Sequence, residues 1–240
     1  MESLYAGEIQ QCLRHSVIYG GNDRKPSRAI IQERPSFYFV NTDSVTAAAV
    51  SHSNRRAMLN FASYLNPGGG FLNGATAQEE MLCRESYLYN ILSHLDMYYV
   101  ENGLRKSRHL YADRAIYSPR VRFIRGDQSF RCDVITCAAP NKKAAMRNGV
   151  TSDMNDEALI RRIQFIRDIA EDQRVESLIL GAFGCGVFGQ NPNDVADAFK
   201  FVFNTTAVKN IVMAVPGEGE NVEAFRSRFR EVHIKRQPTV

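Results

Sequence analysis

Apolar residues recur with two distinct periods along this chain, and their alternation predicts helices layered on strands. Leu4, Ile9, Leu13 and Ile18 form a helical stripe through the first 25 residues, broken by Gly20-Gly21. Residues 36–41 read as a strand that runs into Thr42-Asp43-Ser44, a helix start, and an Ala-rich helix follows to Val50. Residues 58–62 form a second strand feeding a glycine turn, and residues 78–99 carry one continuous helical pattern with Met81, Leu88, Leu92, Leu95 and Tyr99 near one face. Strands are expected at 115–125 and 132–138, where Pro119 implies an edge or a bulge. Helix 155–170, strand 177–182, helix 192–204, strand 210–215 and helix 221–231 complete the pattern. Strands alternating with helices argue for α/β layers around a central sheet, with a ligand outside the carboxyl ends of the strands.

Composition narrows the picture without redirecting it. At 240 residues, with 44% hydrophobic and 23% charged residues, the chain can bury one full core, and no repeat, low-complexity tract or long linker divides it. The formal net charge of +4 favours a polyanionic ligand but does not by itself imply nucleic acid. Eight Lys or Arg between Arg105 and Arg131 face only Asp113 and Asp127, a pattern that also suits a solvated strand and loop surface. The five cysteines lack a CxxC pair, and no His stands at zinc-ligand spacing, so reduced thiols, an intracellular setting and no metal centre are expected. Neither a signal peptide nor a membrane-spanning run of about 18 apolar residues is visible.

Candidate chemistry concentrates at two glycine-rich segments. Gly68-Gly69-Gly70 is followed by a seven-residue spacer and then Gln78-Glu79-Glu80. Glycines let a backbone approach a ligand closely and expose N–H groups, which suits a pyrophosphate, while paired acids are reagents for glycosidic chemistry. Acids at a helix start can instead simply complement the dipole, and that position lowers a carboxyl pKa, whereas a general acid needs it raised. The second segment, Gly181 to Gly189, also lies between a strand and a helix, whose N-cap is expected at Asn191 with Pro192 in the first turn. Gly184, Gly186 and Gly189 match G-x-G-x-x-G, but a dinucleotide fold needs more strands after the motif than the single one that follows here. Both loops are better read as facing one anionic ligand at helix starts. Phe188 could pack on a ribose, whereas Phe183 reads as core. Cys185 has no base placed beside it by the local pattern, and the five histidines are dispersed. A G-x-S-x-G elbow, an H-E-x-x-H pair and a Walker A lysine are all missing from the sequence.

These residues resemble a known family. Gly68-Gly69-Gly70, the spacer and Gln78-Glu79-Glu80 fit the GGG-x(6–8)-QEE signature of poly(ADP-ribose) glycohydrolases, and the wider context is similar to the compact microbial type. Asn60-Phe61-Ala62-Ser63, Asn66-Pro67, Leu82-Cys83-Arg84, Ile116 to Pro119, Ala138 to Asn141 and Gly184 to Phe188 follow in the family's order. The resemblance implies a macrodomain, a three-layer α/β/α sandwich around a mixed sheet, spanning residues 36–240 behind a helical extension over residues 1–35. It implies metal-free hydrolysis of ribose–ribose bonds, mainly from chain ends, with no cofactor. Glu80 would be the acid, Glu79 and Gln78 would orient the scissile ribose, and Asn66 or Ser63 would touch ribose hydroxyls. Gly68, Gly69 and Gly70, with the loop Gly184, Cys185, Gly186, Val187, Phe188 and Gly189, would hold the diphosphate. Asp43 resembles the acid that reads the adenine amine in macrodomains, or is a helix N-cap.

The partners so implied are poly(ADP-ribose) or ADP-ribosylated macromolecules, with ADP-ribose as product, for a monomer that binds neither a membrane nor a specific nucleic-acid sequence. Three other functions fit parts of the pattern: an ADP-ribose reader, a mono-ADP-ribosyl hydrolase, and a basic nucleic-acid module built on Arg105 to Arg131. The last lacks a recognisable platform of stacking aromatics.

Overall fold

The computed structural model describes residues 2–20 and 34–233. Eight strands, β1 (Val17–Tyr19), β2 (Ser36–Val40), β3 (Arg56–Phe61), β4 (Ala115–Arg125), β5 (Gln128–Cys137), β6 (Ser177–Leu180), β7 (Asn210–Ala214) and β8 (Arg230–Glu231), share one sheet in the order β1-β4-β5-β3-β6-β7-β2-β8. Only β4 runs against the rest; it pairs antiparallel with β1 and β5, and every other pairing is parallel. The carboxyl ends of β3, β5, β6, β7 and β2 therefore meet along one edge.

Alternation of side chains across the pleat separates two cores. Ala57 and Leu59 of β3, Leu178 and Leu180 of β6, and Ile211 and Met213 of β7 face helices α7 (Ser152–Asp172), α8 (Pro192–Phe203) and α9 (Glu220–Arg226). Met58, Val134, Ile179 and Ala214 face the other way, toward α1 (Ala6–His15), α2 (Ser44–Ala49), α3 (Gln78–Arg84), α4 (Leu88–Leu92) and α5 (Asp96–Leu104). The expected three-layer α/β/α sandwich with a mixed sheet is what forms. A short helix, α6 (Lys142–Arg147), escapes the sequence pattern.

Several elements differ from expectation for identifiable reasons. The first helix stops at His15, and Val17–Tyr19 joins the sheet beside β4, while residues 21–25 of that expected helix lie outside the described residues. The single helix expected over 78–99 is three. Glu85 O accepts a hydrogen bond from Ile124 N at 2.7 Å and Ser86 bridges Phe123, so the backbone after α3 is diverted into contact with β4. The last helix ends at Arg226, and the chain then adds β8 to the sheet. Pro119 lies inside a register shift between Ser118 and Val121, the expected bulge. Asn191 caps α8 as anticipated, its side chain accepting from Asn193 N at 2.8 Å. No described helix is long and apolar enough to cross a membrane.

Candidate active site

After β3 the chain passes Ala62 and Ser63, turns through Gly68–Gly70, and returns as α3 beside the strand it left. The return is pinned by Gln78. Its Oε1 accepts from Phe61 N at 2.9 Å and its Nε2 donates to Leu59 O at 2.8 Å, so the side-chain amide extends the β3 ladder. That engagement makes Gln78 a positioning residue for the acids that follow rather than a free ribose ligand.

The cavity beside this junction measures about 530 Å³ and is walled by Ser63, Asn66, Glu79 and Glu80 on one side and by the loop after β6 on the other. Glu79 is 3% exposed and both of its oxygens are engaged. Asn60 Nδ2 donates to Oε1 at 3.2 Å, Ser63 N donates to Oε2 at 2.6 Å, and the Gly68 N–H is also directed at this carboxyl. Burial pushes the Glu79 pKa up to about 8 against those donors, with the neighbouring Glu80 charge adding to the rise. Burial thus outweighs the helix start at this residue. Glu80 is differently placed: Oε1 accepts from Gly70 N at 2.8 Å, while Oε2 is buried with no protein partner.

The triple-glycine turn serves the acids. A Cβ on Gly69 would stand 2.5 Å from Glu80 Oε1 and 2.9 Å from Glu79 Oε2, and Gly69 has φ +59°, so both space and backbone demand glycine. The expectation that this turn presents its N–H groups to a diphosphate requires correction. Gly69 N donates to Asn66 O at 3.1 Å, Gly70 N donates to Glu80, and Gly68 N is directed at Glu79, so none of the three is left over.

The second loop is the open one. Between Gly184 at φ +75° and Gly189 at φ +71°, the N–H groups of Gly186, Val187 and Phe188 make no hydrogen bond to another described residue. Successive free amides of this kind form an anion-binding concavity. Beneath it lies a pair that sequence reasoning missed: Gln190, 3% exposed, and Asn155, 0% exposed, exchange two side-chain hydrogen bonds at 2.9 and 3.0 Å, and Gln190 Nε2 also donates to Pro140 O at 2.8 Å. This pair ties the loop to α7 and to the end of β5. Phe188 lines the cavity and meets Tyr111 edge-on, while Phe183 is fully buried in the core. Burial pushes the Cys185 thiol up to about 12, which removes it as a nucleophile at neutral pH.

A second cavity of about 340 Å³ shares Phe61, Gln78 and Ala182 with the first and reaches Asp43. Asp43 is the N-cap of α2: its Oδ1 accepts from Val45 N at 2.9 Å and Thr46 N at 3.0 Å, and its Oδ2 pairs with Arg125 Nη1 at 2.9 Å. Burial works to raise its pKa, but Arg125 and the Thr46 donors outweigh it and hold the carboxyl below its ordinary range. The cap reading of Asp43 is therefore realised, at the wall of the cavity. Arg125 also grips Glu85 through two bonds of 2.7 Å, so the far wall of this cavity is tied to the end of α3. Arg125, Asn155 and Gln190 carry no motif signal, because each depends on partners distant in sequence. No group of His, Cys, Asp and Glu among the described residues could hold a metal ion.

What the carboxyl edge offers is an acid with one free oxygen beside a cradle for an anion. On a macrodomain sheet that combination defines a macrodomain-type glycosidase. Residues 3–126 match the family model for the catalytic domain of microbial-type poly(ADP-ribose) glycohydrolase. The structure resembles poly(ADP-ribose) glycohydrolase from Thermomonospora curvata bound to the inhibitor ADP-HPD, with TM-score 0.81, 32% identity, and coverage of 93% of this chain and 89% of that one. It also resembles the Deinococcus radiodurans enzyme in complex with ADP-ribose, with TM-score 0.81, 30% identity, and coverage of 92% and 96%. No curated protein sequence matches the chain. The chain belongs to the microbial-type poly(ADP-ribose) glycohydrolases.

Proposed function

We propose that Glu80 is the acid and base by which this chain hydrolyses the ribose–ribose bond of poly(ADP-ribose), releasing ADP-ribose mainly from chain ends. The observation that carries this reading is the buried, unpartnered Oε2 of Glu80, a residue that lines the cavity, when the other three oxygens of the carboxyl pair are spent on protein donors. The Glu80 carboxylic acid gives its proton to the leaving ribose oxygen as the glycosidic C–O bond breaks toward an oxocarbenium-like centre. The resulting carboxylate then takes a proton from the attacking water, which restores the acid. Gly70 N–H fixes the carboxyl against rotation during both transfers. Glu79 and the Asn66 side chain lie where the scissile ribose would rest, and the Gly186 to Phe188 amides would hold the diphosphate with Phe188 against the ribose. The cavity reaching Asp43 would take the adenosine end.

The working unit is proposed to be a monomer. The five unpaired cysteines support a reducing, intracellular setting.

The test is ADP-ribose release from purified poly(ADP-ribose) by wild type and by Glu80→Gln, with a chelator present. Glu80→Gln should still bind ADP-ribose while turnover falls about a hundredfold or more, the scale of losing a general acid. Equal turnover by the two proteins would remove Glu80 from the mechanism. Binding of ADP-ribose without release by either would mark a reader or a mono-ADP-ribosyl hydrolase.

A further inference from the structure

Apart from Arg120, exposed in the bulge of β4, the basic stretch from Arg105 to Arg131 divides into two populations. Arg114 pairs with Glu101 at 2.7 Å, Arg122 with Glu8 at 2.6 Å, Arg125 with Glu85 at 2.7 Å and Arg131 with Glu8 at 3.1 Å. Arg105, Lys106 and Arg108, by contrast, are exposed and their charged groups meet no acid or other acceptor among the described residues. Lys143, at the start of α6, is likewise exposed and unpaired.

The segments that carry these four cations are tied to one end of the first cavity. Lys143 N donates to Phe188 O at 3.0 Å, Asn141 N donates to His109 O at 3.0 Å, and Tyr64 OH donates to Arg105 O at 3.1 Å. Tyr64 follows Ser63 in the wall that holds Glu79, and its ring stacks on Tyr111 at 4.1 Å, which in turn meets Phe188. The loop is held in an unfavourable backbone state. Ser107, Arg108, His109 and Tyr111 all have positive φ, between +45° and +70°, a region unfavourable for residues with a Cβ. Arg162, fully buried and paired with Asp113 at 2.8 Å, keeps it there by donating to Tyr111 O at 3.1 Å. A rigid, strained loop that carries three unneutralised cations beside the mouth of an anion-binding pocket is shaped for a ligand longer than the pocket.

We propose that Arg105, Lys106 and Arg108, with Lys143, form a second anion subsite that takes the diphosphates of the polymer beyond the unit held in the cavity. This rests on the poly(ADP-ribose) reading above. The Phe188 end is where that reading places the scissile ribose, so the remainder of the chain must leave the pocket there. At the opposite end the one cation, Arg125, is held between two acids, Asp43 and Glu85, which leaves no free positive charge there for a further phosphate. A polymer with two phosphates in every unit supplies the counter-charges that the rim lacks.

The test uses the full chain in the Glu80→Gln background, so that binding is read without cleavage and independently of whether hydrolysis occurs. Arg105→Gln, Lys106→Gln and Arg108→Asn are combined; asparagine tolerates the positive φ at position 108. Affinity is measured for free ADP-ribose, for poly(ADP-ribose) of about twenty units and for single-stranded DNA of equal charge, across a salt series. The expected result is about a tenfold or greater loss of polymer affinity, a shallower salt dependence for the polymer, and unchanged affinity for ADP-ribose. Lys143→Gln alone should show a smaller change of the same kind, which serves if the triple variant folds poorly. Unchanged polymer affinity and salt slope would overturn the proposal. A parallel loss of ADP-ribose affinity would overturn it as a separate subsite, and equal or tighter binding of DNA to the parent would overturn the polymer as its ligand.

Discussion

At the scale of single residues, the site depends on how closely the turn approaches the acids. Gly69→Ala puts a methyl group 2.5 Å from Glu80 Oε1, and the carboxyl, as the flexible partner, must swing away. Gly74 has φ +79° but open space around its Cα, so Gly74→Ala costs only backbone strain. Gly69→Ala should therefore lose about a hundredfold in turnover, as expected for an acid displaced by about an ångström, while Gly74→Ala stays near wild type in an ADP-ribose release assay. Glu79 gives a second prediction at this scale. Its pKa rises on folding from 4.5 to about 8, so its contribution to stability is complete below about 4.5 and is lost as pH climbs through 8. In that window the unfolded chain has already released a proton that the native state retains. Glu79→Gln should accordingly show a smaller fall in Tm between pH 5.5 and pH 8.5 than wild type. An equal fall in both proteins would assign the pH response to other groups.

Elements place these residues, and they differ in how much of themselves the sequence reveals. Helix α8 was legible because its cap and first-turn proline, Asn191 and Pro192, are local signals. The α3–α5 segment was not, because its first break is made by contacts with β4, and nothing within residues 78–99 shows that Glu85 O will meet Ile124 N. The two glycine loops were visible as motifs, but their division of labour was not. Which of them keeps free N–H groups depends on where Glu79 and Glu80 point. The Asn155–Gln190 amide pair was invisible for the same reason, since its members stand 35 residues apart on a helix start and a loop. Gln190→Ala leaves Asn155 Oδ1 and Pro140 O without partners, while Asn155 Nδ2 keeps only Asp156. It should cost about 2 kcal/mol, or about 4–8 °C in Tm, and weaken ADP-ribose binding as the loop loosens. A variant with wild-type Tm and affinity would show that the loop holds its shape without the pair.

For the whole molecule, the strand order carries a consequence of its own. The strands before the Arg105–Arg108 loop are β1, β2 and β3, and none of them bonds to another of the three: β1 lies on β4, β2 between β7 and β8, β3 between β5 and β6. A cut in this exposed loop would separate the chain into two halves whose strands interdigitate like the teeth of a zip. The first half would hold the acids and no neighbouring strand; the second would hold the anion loop on a sheet missing its centre. Two such fragments would be unable to fold apart, and the acid would face the anion cradle only after they had found each other. The protein's topology is, in this sense, that of a split enzyme whose two parts happen to be translated as one.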